Sequence, residues 1–326
     1  MLSRVAESIY WMARYIERAE NIARFIDVTL NLILDQPQTA HLQWVPLVST
    51  SGDHEYFNKK YHQPNEENVV RFLTFDREYP NSIISSLSMA RENARTVREA
   101  ISSEAWEQIN EFYHFVRHAA RTDGKMTTPP DFFNAVKQHS QLFNGILDAT
   151  LSHAAGWHFA NLGRLLERAD KTSRILDVKY FTLLPTLQDV GTTLDDLQWS
   201  SVLRSVSAFE MYRKRFHGIT IHRVVSFLML DRSFPRSVLF CVDWADHSLH
   251  QISGSPLGSY CNSAEQQLGR LKGDLAFGDV NTIINQGFHE FIDGLQSKLN
   301  GVGGAIHETF FAVRNVGASQ SQFQSN

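Results

Sequence analysis

The sequence predicts an all-α protein built as a tandem-duplicated helical bundle, its two diverged halves related by a pseudo-twofold and packed together. Three observations predict it: the chain matches itself when shifted, its apolar residues recur at helical spacing, and no segment shows the strict period-two alternation of a half-buried strand. Shifted by 150, Arg14, Glu17, Arg18, Ala19, Arg24, Asp27 and Val28 fall on Arg164, Glu167, Arg168, Ala169, Arg174, Asp177 and Val178. Shifted by 155, Leu42-Gln43-Trp44 falls on Leu197-Gln198-Trp199, and Glu55, Lys59 and His62 fall on Glu210, Lys214 and His217. The same shift lays the segment 72–82 on 227–237, where Asp76-Arg77 ahead of Pro80 reads again as Asp231-Arg232 ahead of Pro235. One length difference in the connection after Val28 explains the change of offset. The expected units are residues 1–150, residues 151–315 and a polar, disordered tail at 316–326.

The first element is a helix over residues 3–34. Met12, Tyr15, Ile16, Ala19, Ile22, Ala23 and Ile26 form a broad apolar face, and Arg14, Glu17, Arg18, Asn21 and Arg24 gather opposite. Pro37 stops it. Its copy over 157–184 carries Arg164, Glu167, Arg168, Lys171 and Arg174 and is stopped by Pro185. The stretches 36–66 and 185–220 read as loop-rich with short helices, and long connections of that kind are often functional. Residues 69–75 and 224–230 read as short helices. Pro80 and Pro235 are placed in the first turn of the helices 82–101 and 237–252, where a missing N–H leaves nothing unpaired. Further helices are expected at 103–121, 131–155, 260–275, 279–299 and 305–313, with Gly301-Val302-Gly303-Gly304 as the turn between the last two.

Composition narrows the function. Lys plus Arg total 31 against 35 Asp plus Glu, and a net charge of −4 gives no long-range pull toward nucleic acid. The apolar run 224–230 is broken by Ser226 and is far too short to span a membrane. Glu7, Arg14 and Glu17 stand where a signal peptide needs an apolar run. Cys241 and Cys261 make no metal or redox spacing. The expectation is a soluble, cytoplasmic chain with no membrane contact, no cofactor and no metal.

The charged stripe admits three readings: a solvated face, structural buried pairs, or a site for an anion or carboxylate. Between the copies the apolar Ile22 and Phe25 became Thr172 and Ile175, while the Arg and Glu positions did not change. An exposed face drifts first, because exposed substitutions typically cost within about ±0.5 kcal/mol, so the retained charges point to burial or to a shared pocket where the halves meet. Guanidinium groups bind carboxylate or phosphate bidentately. The candidate binding residues are therefore Arg14, Arg18, Arg24, Arg164, Arg168, Arg174 and Arg236, the last lacking a basic counterpart because Asn81 stands there. Asp76, Arg77, Asp231 and Arg232 either cap the following helices and pair locally or line the same pocket. Glu17 and Glu167 are the candidates for acid/base work should the chain be an enzyme.

Other chemistry is sparse. Glu111 and His114 make one Glu-x-x-His, read as a helix surface pair, since a di-metal helical bundle needs two such motifs. His247 and His250 near Asp243 and Asp246 read as a solvated cluster, and His62 and His217 as core or loop packing. No P-loop or nucleophile elbow is present in the sequence.

The segment Ser8-Ile9-Tyr10-Trp11-Met12-Ala13-Arg14-Tyr15-Ile16-Glu17-Arg18-Ala19-Glu20-Asn21 resembles the signature of the bacterial alpha-E domain family. Leu162-Gly163-Arg164-Leu165-Leu166-Glu167-Arg168-Ala169-Asp170, the segment 227–237 and Ala90-Arg91-Glu92-Asn93-Ala94-Arg95 are similar to its other motifs, and the resemblance covers residues 1–313. It implies a helical protein found with a circularly permuted ATP-grasp ligase and often a transglutaminase-like peptidase, in ATP-dependent amide-bond formation or peptide modification. This chain would be the partner subunit, in a homo- or hetero-oligomer. The alternatives are an enzyme acting on an amino-acid or peptide intermediate and a purely structural interaction module.

Overall fold

A computed structural model describes residues 1–35, 40–121, 129–182 and 193–312, and the regular structure of these residues is entirely helical. The first seven helices are α1 (Ser3–Asp35), α2 (Ala40–Ser51), α3 (His54–Tyr61), α4 (Glu66–Phe75), α5 (Ile83–Thr96), α6 (Ser103–Arg121) and α7 (Pro129–Thr150). They are followed by α8 (Ala155–Thr182), α9 (Thr193–Ser205), α10 (Phe209–Arg215), α11 (Ile221–Val225), α12 (Val238–Ser253), α13 (Ser263–Ala276), α14 (Val280–Asn285) and α15 (Phe288–Ile306). Helix α11 runs on into a π-helical turn, Ser226–Leu230, and α15 into another, His307–Phe311.

Helices α1 and α8 lie against each other at the centre. Helix α1 is flanked by α5 and α7, which α6 connects; α8 is flanked by α12 and α15, which α13 connects. Helix α1 is therefore covered on both sides. Its apolar face buries Met12, Ile16, Ala19, Ala23 and Ile26, and its polar face buries Glu17, Glu20, Asn21 and Arg24. The solvated-face reading of the stripe does not hold, and burial on this scale requires every charge to find a partner.

Gly163 sets how closely the two central helices approach. A Cβ there would sit 2.4 Å from the backbone oxygen of Tyr10 and 3.1 Å from its ring. In an open helix interior, Gly→Ala stabilises by about 0.5–1 kcal/mol. At this crossing the added methyl forces α1 and α8 apart, so Gly163→Ala is expected to destabilise by about 1–3 kcal/mol, as overpacking does. Urea denaturation gives the sign, and a stabilised variant would contradict the close crossing.

Several local expectations are corrected. Pro80 and Pro235 lie in the turns before α5 and α12, not inside them. The caps are Ser82 and Ser237, whose side chains accept from the backbone N–H of Ser85 and Phe240. Each cap is worth about 1 kcal/mol. Asp76 and Asp231 thus do not cap the helices; their backbone oxygens accept from the hydroxyls of Ser82 and Ser237 and tie the turn to the cap. The expected helix 279–299 is two helices, interrupted at Gly287, whose φ of 104° is open to glycine and strained for other residues. Gly301, Gly303 and Gly304 make no turn, because α15 runs through them, held by the buried Leu299, Val302, Ala305 and Ile306. His250 and Asp246 are buried rather than solvated, with Lys272 3.0 Å from the Asp246 carboxylate. Pro37, Pro185 and the tail 316–326 lie outside the described residues.

Candidate functional site

The site is the crossing of α1 and α8, and it is built from two Glu-Arg dipeptides, Glu17-Arg18 and Glu167-Arg168. Neither pairs within itself. Arg168 donates from Nε and Nη2 to the two carboxylate oxygens of Glu17, at 2.9 and 2.7 Å. Arg18 does the same to Glu167, at 2.7 and 3.1 Å. Each helix thus hands its arginine to the other helix's glutamate, in the planar bidentate geometry that makes such pairs strong.

Around this double clasp the two sides differ. On the Glu17 side, Arg236 reaches in from the turn before α12. Its Nη1 donates to Glu17 at 3.1 Å and to Asn21 at 3.2 Å, and its Nη2 to Glu20 at 2.5 Å. Asn21 adds a hydrogen bond to Glu17 at 2.9 Å, and Ser140 of α7 and Arg24 complete Glu20 at 2.6 and 2.9 Å. Arg24 also donates to Ser207, while Arg164 on this side bonds Asn161 at 2.6 Å. On the Glu167 side, Arg14 donates from Nε at 3.0 Å, and Lys171 stands 3.7 Å from Glu167 and 3.1 Å from Asp170. Arg174 holds Asp170 at 3.0 Å.

Burial by itself favours the neutral acids, yet both central glutamates are held well below the usual carboxylate range. For Glu17 the charges of Arg168 and Arg236 outweigh desolvation; for Glu167 those of Arg18, Arg14 and Lys171 do. Asp170 is depressed in the same way, with Lys171 and Arg174 overcoming its burial. Burial also opposes the charge on Arg168, but Glu17 reverses the balance and raises its pKa. Arg236 is the exception: burial first and Arg168 second push it down to about 10, which leaves it charged at neutral pH. Burial raises the nearby Cys241 thiol to about 12, so it carries no thiolate chemistry.

A cavity of about 170 Å³ opens beside the clasp on the Glu167 side, lined by Arg14, Arg18, Asn81, Glu167, Lys171 and Arg174 among others. A larger depression of about 930 Å³ lies further along α1, lined by Asp27, Arg204, Phe209 and Glu210 among others. Lys137 holds Asp27 at 2.7 Å, so acids and bases balance there and leave no cationic surplus for an anion.

Arg14, Arg18, Arg24, Arg164, Arg168, Arg174, Arg236, Glu17 and Glu167 therefore surround one helix crossing. The Asp-Arg motifs do not join them. Asp76 accepts from Lys60 and Tyr61, both at 2.9 Å, and Asp231 pairs with Arg215. Arg77 and Arg232 are exposed. None of the four lines the 170 Å³ cavity.

The model of the Alpha-E family, described as a predicted alpha-helical domain with a conserved ER motif, matches residues 1–311. The chain belongs to the Alpha-E family. In it the Glu-Arg pair occurs twice, and the two occurrences exchange partners across α1 and α8. Among curated proteins the chain is similar to uncharacterized proteins of Mycobacterium bovis and of two strains of Mycobacterium tuberculosis. It is 21% identical to each over 338 aligned positions, covering 96% of this chain and 36% of each relative. The chain thus spans about a third of the length of these relatives. No solved structure matches it significantly.

The structure adds Asn81, Glu20, Asp170 and Ser140 to the residues expected from sequence. The Asn81/Arg236 mismatch between otherwise matching motifs was the available signal for the first. Also unforeseen is a group on α8 and α15, in which Asp177, His289 and Asp293 bring ligand-type atoms within 4.8 Å of one another. His289 places Nδ1 2.8 Å from Asp177 and Nε2 3.6 Å from Asp293, so each ring nitrogen faces its own carboxylate rather than one ion. The hydrogen bond to Asp177 raises the His289 pKa. Glu111 and His114 are both exposed on α6, and His62 and His217 are exposed in loops. No helix of the described residues is long and apolar enough to cross a membrane.

Proposed function

We propose that this chain is a helical partner subunit of a circularly permuted ATP-grasp ligase acting in peptide or amide-bond modification, and that its Arg/Glu cluster offers a pocket to an anionic group. The observation that carries the pocket is the surplus of basic side chains around a cavity whose acids are already paired. Glu167 and Asp170 are held by Arg14, Arg18, Arg174 and Lys171, so an incoming anion meets donors and little repulsion. The same pairing favours binding over proton transfer. A glutamate whose pKa is held far below neutrality is a poor general base, which sets Glu17 and Glu167 apart from the acid/base role. The mycobacterial relatives support partnership, because most of their length lies outside the region shared with this chain. We also propose that residues 1–150 and 151–315 are duplicated copies about a pseudo-twofold through the clasp; the matching neighbours of α1 and α8 and the exchanged Glu-Arg pairs support this.

Co-expression tests the partnership. Tagged chain produced with the ATP-grasp ligase of its own genome is expected to co-elute with it in size-exclusion chromatography, and ligase turnover is expected to rise in its presence. Separate elution with unchanged turnover overturns the reading.

A further inference from the structure

We propose, resting on that anion-pocket reading, that the cavity beside Asn81 is a site for one small oxyanion per chain, and that Arg236 closes the corresponding place on the Glu17 side. Positions 81 and 236 correspond under the 155 shift, and positions 21 and 171 under the 150 shift. On the Glu17 side the pair is Asn21 with Arg236: the helix supplies an amide, and the turn supplies a long cation that bonds Glu17, Glu20 and Asn21. On the Glu167 side the pair is Lys171 with Asn81. Here the helix supplies the cation, and the turn supplies a short amide that accepts from Arg18 at 2.7 Å.

The exchange keeps the charge and moves it. Each side retains a cation against its acids, but only one side retains the long side chain that fills the turn. The 170 Å³ cavity stands where that side chain is missing. At about 30 Å³ per water it has room for roughly six waters. That suits a carboxylate or a phosphate, and it is below the roughly 300–1,000 Å³ of a pocket for a drug-sized ligand.

The lining selects for negative charge. Arg14, Arg18, Lys171 and Arg174 line the cavity with Glu167 and Asp170, four positive groups against two negative; Asp53, which accepts from Asn81 and acts on Arg174 from behind the lining, leaves a surplus of one. Arg14 and Arg18 are oriented by Glu167, with side chains 18% and 13% exposed, so they are fixed and largely desolvated yet reachable. Arg174, which also lines the cavity, donates to Asp170 through Nε, and one of its outer nitrogens packs beside Gly52. Preorganised guanidinium groups of this kind hold an oxyanion without reordering at the moment of binding.

Isothermal titration calorimetry at low ionic strength tests this with two probes, inorganic phosphate and N-acetylglycine. The wild-type chain is expected to bind at one site per chain. Saturation with phosphate alone assigns a phosphoryl group, and saturation with N-acetylglycine alone assigns a carboxylate. The double variant Asn81→Arg with Lys171→Asn rebuilds the closed arrangement at unchanged net charge, and it is expected to weaken binding at least tenfold. Arg174→Met is the second variant and is expected to weaken binding by a similar factor; it loses stability because Asp170 keeps only Lys171, and a cooperative thermal melt above the titration temperature shows that it is still folded when binding is measured. Absence of binding by both probes to the wild type, or undiminished binding by both variants, overturns the site. Ligase association is scored on the wild-type chain: association without oxyanion binding overturns the pocket alone, whereas oxyanion binding without association overturns the partnership alone.

Discussion

Glu17→Ala is expected to lower the free energy of unfolding by about 3–5 kcal/mol, the range for removing one partner of a buried ion pair. Glu17 is completely buried and receives Arg168 through both carboxylate oxygens, Arg236 through one of them and Asn21 as well. Its loss leaves two guanidinium groups facing each other inside the protein. Arg168 already depresses the Arg236 pKa with Glu17 in place, so the repulsion is present and only offset. The reference is Asp274→Ala, which breaks the exposed pair with Lys298, whose side chains are 54% and 56% exposed. Exposed pairs are worth about 0–1 kcal/mol. Urea titrations of both variants check the contrast, and equal losses would contradict it.

The second large effect is acid sensitivity. Glu17, Glu167 and Asp170 all have folded pKa values below their unfolded ones. For such groups the unfolded chain binds more protons in acid, so their stabilisation is complete above the ordinary carboxylate range, about 3.9–4.3, and is lost as pH falls through it toward the folded values. A single salt-bridged carboxylate depressed by about two units contributes about 2.6 kcal/mol, and here three act at one crossing. The melting temperature is expected to hold from pH 7 to about 5 and to drop steeply below about 4.5. His289 works in the opposite direction: its raised pKa stabilises the fold below about 6.5 and ceases to do so as pH rises through its folded value, so it does not produce the acid loss. Thermal melts between pH 3 and 7 check this, and Glu167→Gln is expected to show a shallower acid slope from a lower starting stability. A flat profile down to pH 3 would contradict the buried clasp.

Much of this was legible in the sequence because it is local or periodic. The helices of the charged stripe, the short helices in the long connections and the retention of Arg14, Glu17 and Arg18 in Arg164, Glu167 and Arg168 all follow from spacing and self-comparison. The unchanged charges pointed correctly to burial. What spacing does not carry is which arginine meets which glutamate. Glu17 and Arg18 are neighbours in sequence, yet each is claimed by a residue about 150 positions away. Helical geometry places adjacent side chains about 100° apart, so neighbours diverge and only the packing of a second helix decides their partners. Arg236 lacks a basic counterpart in sequence, and only the folded chain brings Lys171 and Asn81 together at one cavity. The glycines 301, 303 and 304 misled for a related reason: glycine costs a helix about 1 kcal/mol each, and the buried face of α15 overrides that penalty.

The exchanged pairing of the two Glu-Arg dipeptides is the centre of this account, and a double-mutant cycle on Glu17→Ala and Arg168→Ala measures it most directly. Residues in one buried ion pair are expected to couple by about 1–3 kcal/mol, the double variant being far more stable than the sum of its single losses implies. Additivity within about 0.5 kcal/mol, the behaviour of residues more than about 7–10 Å apart, would mean that Glu17 and Arg168 do not meet across the crossing.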